Sequence, residues 1–214
     1  MSFFNPLRER PTILVAAVGE AEGARGAAAA LACAGAELDE PSLLIEVGGR
    51  TPRPALLASG AAQKLEERLT THLPDLRVAA RGQVCHLAVP ADSDGVEATA
   101  AAVAVTRDST TILHVPSGEL QSLLGGGAAW RPSGVLLRAD LAADRPLVAL
   151  AAHDLLDRGI AVAVLKRRLS WVAERRALFG ALPAGSPGGL SERVLRRLRL
   201  LSKDTEVRVP AAAG

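Results

Sequence analysis

The residues best placed for chemistry lie in VGEAEGARGAAAALA (18–32), directly after the apolar run TILVAA (12–17). A glycine-rich turn between a buried strand and a helix is where phosphate is held, because the helix start offers unpaired backbone N–H groups. A phosphate loop of the form G-x-x-x-x-G-K-[ST] also needs its lysine for the outer charge and its hydroxyl for magnesium. Aligned on Gly23, those places fall to Ala24 and Arg25; aligned on Gly26, to Ala27 and Ala28. Glu20 and Glu22 add carboxylates where phosphate would lie, and like charge repels it. Gly19, Gly23 and Gly26 likewise give G-x-x-x-G-x-x-G rather than the dinucleotide fingerprint G-x-G-x-x-G. The chain has no tyrosine, which removes any mechanism built on a catalytic phenol.

Glu46 ends the next apolar run, SLLIEV (42–47), where a ribose-binding acid can stand. The simpler readings are a solvated carboxylate or one paired with Arg50. The expectation is no cofactor and no catalytic residue. The alternative is a nucleotide held by Gly19, Gly23, Arg25, Gly26 and Glu46, with backbone donors supplying most of the contact.

Other reactive residues are sparse. Cys85 and His86 are neighbours in VCHLAV (84–89) and must point to opposite faces of a strand. With His114 and His153 they form no C-x-x-C or H-x-x-x-H spacing, so no metal site is expected. The run 92–95 (Asp-Ser-Asp-Gly) lacks the downstream glutamate of a calcium loop and reads as a turn with Asp94 capping a helix. Ser117 is not in a G-x-S-x-G elbow.

The elements that position these residues alternate. TILVAAV (12–18), SLLIEV (42–47), VCHLAV (84–89), TTILHV (110–115), SGVLLR (133–138) and IAVAVL (160–165) are apolar on both parities, as buried parallel strands are. A further short strand is expected over 76–80, joined through Arg81 and Gly82. Helices are expected over 23–36, 54–73, 95–105, 118–124 and 144–158, the last ending at Gly159. Such alternation predicts a three-layer α/β/α fold around a mainly parallel, doubly wound sheet, P-loop NTPase-like or Rossmann-like. One domain over 1–202 is expected, with 203–214 as an edge strand or disordered tail.

The 214 residues are 49% hydrophobic and only 2% aromatic, so the core must be aliphatic. Two cysteines suit a reducing compartment. No apolar run approaches the ~20 residues of a membrane span. A cytoplasmic protein is expected, with peripheral attachment at the inner membrane face as an alternative. The net charge of +2 is uneven: residues 158–214 hold 12 basic and 4 acidic residues, the rest 13 and 19. Two basic helices are expected there, 170–179 and 191–202. In the second, Leu190, Val194, Leu195, Leu198 and Leu201 share a face, and Arg193, Arg196, Arg197 and Arg199 spread over the rest. Such a helix packs on its own sheet, meets a partner helix, or lies on an anionic membrane. Trp130 and Trp171, each beside arginine, mark either protein contacts or core edges. Nucleic acid is not an expected partner, since arginine without interleaved aromatics gives only non-specific attraction.

With these residues laid out, the chain resembles the MinD/ParA group of P-loop ATPases, including TadZ/CpaE-like members tied to pilus assembly. The resemblance spans roughly residues 12–202 and rests on element order and apolar pattern. Gly23 matches the last loop glycine, and Ala28, Leu31 and Ala32 match the helix pattern A-x-x-L-A. Glu46 stands at an aspartate position of the second strand. VCHLAVP resembles the strand that carries the Walker B aspartate, with Ala88 and Val89 there. TTILHVPSGELQSLL resembles the following strand and helix. SGVLLRADL sits where the family has a base-reading asparagine, its place taken by Arg138 or Asp140. The resemblance implies a member that lost ATP hydrolysis and acts in localisation or assembly through protein contacts, with a homodimer as one such contact. The alternatives it leaves are a nucleotide-binding protein or ATPase with an atypical loop, and a membrane-surface adaptor using residues 190–202.

Overall fold

The computed structural model describes residues 10–19, 23–37, 41–49, 58–116, 118–125, 130–139 and 145–165. Among the described residues seven strands form one sheet: β1 (Thr12–Ala17), β2 (Ser42–Val47), β3 (Val78–Arg81), β4 (Val84–Val89), β5 (Thr110–Val115), β6 (Gly134–Arg138) and β7 (Val162–Leu165). The described helices are α1 (Ala24–Glu37), α2 (Gly60–His72), α3 (Ser93–Val105), α4 (Leu120–Gly125) and α5 (Arg145–Asp157). The strand order is β3-β4-β2-β5-β1-β6-β7, and only the β3–β4 pair is antiparallel. From β1 the chain moves outward through β2 to β4, returns to β5, then crosses to β6 and β7 on the other side. The sheet is therefore doubly wound, and the fold is the three-layer α/β/α class expected.

Alternation along each strand splits the core in two. Leu14, Leu43, Ile45, Cys85, Leu87, Leu113 and Leu137 face one side, where α2, α3, α4 and α5 pack. Ile13, Val15, Leu44, Val84, Ile112 and Leu136 face the other, against α1. The α1 layer is built from alanine: Ala27 to Ala34 are all buried. A helix of such small side chains lies close to its sheet, and one apolar all round is an interior helix.

Several boundaries differ from expectation. Helix α2 starts at Gly60 rather than near Pro54, because the Ser59 hydroxyl accepts from the Ala62 N–H at 3.3 Å and caps it. Helix α3 starts earlier than expected. Its cap is Asp92, not Asp94, with Gly95 N–H donating to Asp92 Oδ1 at 3.0 Å. Residues 51–57, both expected basic helices and the tail 203–214 lie outside the described residues.

Candidate functional site

Ligand crevices in open α/β sheets form beyond the C-terminal ends of the strands. On the α1 side of this sheet, that end carries Glu46 of β2, His86 of β4, His114 of β5 and Arg138 of β6. All four share the parity of apolar residues packed against α1 (Leu44, Val84, Ile112 and Leu136). Glu46 lies beside His114 in the β2–β5 register and two residue pairs beyond the Leu44–His86 pair in the β2–β4 register.

Above this row stands the first turn of α1. Gly19 follows β1 at φ 63° and Gly23 precedes α1 at φ 89°. Both lie in the left-handed region that favours glycine. The Gly23 carbonyl accepts the first helical bond, from Ala27 N–H at 2.9 Å. Gly26 is buried inside the helix and belongs to its packing. Glu20 and Glu22 lie outside the described residues.

Arg25 projects from that first turn and pairs with Glu46. Its Nε donates to Oε1 and its Nη2 to Oε2, the latter at 3.0 Å. The His86 Nε2–H donates to Glu46 Oε2 at 2.7 Å. Glu46 is only 1% exposed, so burial pushes its carboxyl pKa up. The His86 and Arg25 hydrogen bonds together outweigh burial and hold it down at about 2. The Arg25 pKa is raised, first by that same hydrogen bond. Burial pushes His114 below its ordinary value, the Glu46 charge opposing and Arg25 assisting, so His114 is neutral near pH 7.

The result is a closed network, Arg25–Glu46–His86, with a neutral imidazole beside it. Glu46 is buried rather than solvated, and its two oxygens accept from a guanidinium and an imidazole. Its partner is Arg25, 21 residues away in sequence, while Arg50 lies outside the described residues. Sequence reasoning missed His86 as part of this site. The signal was its parity: Cys85 faces the α2–α3 layer, which sends His86 to the face holding Glu46. Among the described residues no group of three or more His, Cys, Asp or Glu side chains is arranged to hold a metal ion.

Arg138 is 7% exposed. Its Nη1 donates to the carbonyls of Ala139 at 2.6 Å and Leu165 at 3.2 Å. It thereby ties the ends of β6 and β7 together. Trp130 lies far from this end, at the foot of β6, packed against the core. Trp171, Arg193, Arg196, Arg197 and Asp140 lie outside the described residues.

No protein-family model matches the chain, and neither does any curated protein. Solved structures similar to it include the MinC:MinD cell division protein complex of Aquifex aeolicus. That match has 12% identity and a TM-score of 0.46, covering 95% of this chain and 99% of that one. FtsY of Mycoplasma mycoides matches at 19% identity and a TM-score of 0.39, over 93% of this chain and 70% of that one. No described helix is long and apolar enough to cross a membrane.

Proposed function

We propose that this protein is a non-catalytic α/β protein that acts in localisation or assembly through protein contacts. The observation that carries this reading is the pairing of Arg25 with Glu46. Arg25 is the cation offered by the first turn of α1, and an internal carboxylate already neutralises it. A triphosphate entering there would have to draw a half-exposed Arg25 away from its buried partner and would leave Glu46 facing its own negative charge. Contacts with other proteins are supported by α5, which exposes Leu147, Leu150 and Leu156 by 50%, 70% and 59%. A homodimer is one such arrangement.

Calorimetric titration with ATP, ADP and GTP, each with and without magnesium, tests the reading. The expected result is no binding tighter than about 1 mM. Micromolar binding of any of them would replace this proposal with that of a nucleotide-binding protein using an atypical loop.

A further inference from the structure

A cleft of about 370 Å³ opens at the other end of the sheet, where β6 and β7 begin. Its apolar wall is Leu123 and Leu124 of α4, the Trp130 ring, Pro132 and Ile160, and its polar wall is Arg131 and Arg158. The polar side-chain groups in this lining are all donors: two guanidiniums and one indole N–H. The Trp130 Nε1–H is buried and has no acceptor among the described residues.

The described carbonyls beside the two guanidiniums already accept from them. Arg131 Nη2 donates to the Arg158 carbonyl, and Arg158 Nη1 donates to the Leu124 carbonyl at 3.4 Å. Arg158 is fixed further by Gln121 Oε1 at 3.0 Å and by Asp154, 3.3 Å from both its Nε and its Nη2. Asp154 thus balances Arg158 and leaves the Arg131 charge without a carboxylate among the described residues. Arg131 is exposed, so its guanidinium is within reach of solutes.

A cleft with apolar walls, one unbalanced cation and donors in excess is complementary to a ligand of opposite make-up. We infer that it binds a small carboxylate with an apolar body, the carboxylate on Arg131 and the body against Trp130 and the α4 leucines. This site is separate from the Arg25–Glu46–His86 network, and its test does not depend on how that network is read.

Trp130 supplies the reporter. The protein has two tryptophans, so its ¹⁵N spectrum carries two indole N–H resonances, assigned by Trp171→Phe. The probes are 4-phenylbutyrate, its neutral isostere 4-phenylbutyramide, and acetate. Phenylbutyrate is expected to shift the Trp130 resonance saturably, with a Kd on the order of 1 mM for a ligand of this size. The amide should bind about tenfold more weakly, the loss of one charge-assisted pair, and acetate should leave the resonance in place. Arg131→Gln should abolish the preference for carboxylate over amide, and Arg131→Lys should keep part of it. Equal affinity for acid and amide overturns the inference. So does a Trp130 resonance that no probe moves, or a carboxylate preference that survives Arg131→Gln.

Discussion

At the residue scale the molecule turns on Glu46. A carboxylate 1% exposed stays ionised only because His86 and Arg25 both donate to it, and its pKa falls from 4.5 to about 2. A group depressed on folding contributes stability that is present above its unfolded pKa and is lost as pH falls through the folded one. Here that contribution is about 3 kcal/mol at pH 7, vanishing between about pH 4.5 and pH 2. Glu46→Gln keeps the shape and removes the charge. The expected outcome is an unfolding free energy from urea titration lower by that amount at pH 7, with the gap to wild type largely closed near pH 2.5. A gap unchanged with pH would show that the charge is not what stabilises the site. His114 moves the same way by a different cause. Burial lowers its pKa below 6.5, so the unfolded chain takes up the proton first and stability declines as pH drops from about 6.5. His114→Asn should flatten the stability profile between about pH 6.5 and pH 5, read from thermal midpoints across that range.

At the element scale the strands were legible and the helix starts less so. Buried parallel strands write themselves as unbroken apolar runs, and VCHLAV and TTILHV appear with the bounds their patterns predict. A helix start depends on which of several side chains reaches a backbone N–H, and the run Asp92-Ser93-Asp94 offers three. Geometry selects Asp92, because Gly95 sits tight against the turn that follows β4: a Cβ added there would collide with the Pro90 carbonyl. That carbonyl is backbone and cannot rotate away. Gly95→Ala should therefore cost about 3 kcal/mol, the scale of overpacking. Asp92→Ala loses only the cap, at about 1 kcal/mol. Chemical denaturation of both variants checks the order; a Gly95→Ala protein no less stable than Asp92→Ala would contradict the packing.

At the scale of the whole molecule, strand order is what the sequence pattern could not reveal. Nothing local in TTILHV says that it inserts between β1 and β2, yet that insertion sets His114 beside Glu46. The same order leaves α1 over the centre of the sheet, buried from Ala27 to Gly35. By contrast, α5 buries only Val148 and Leu155 and covers β6 and β7 at the edge of the described sheet. Opening a segment costs roughly the burial it gives up, so the two regions should open at different free energies. Native-state hydrogen exchange is expected to show the amides of α1, β1, β2 and β5 exchanging only with global unfolding. The amides of α5 should exchange earlier, through local opening, with rates less sensitive to denaturant. If α5 and α1 exchange together under all conditions, α5 is held by contacts beyond the sheet, as an obligate partner on its exposed leucines would hold it. Repeating the measurement over a range of protein concentrations separates these cases, because protection conferred by a second copy falls on dilution and protection within one chain does not.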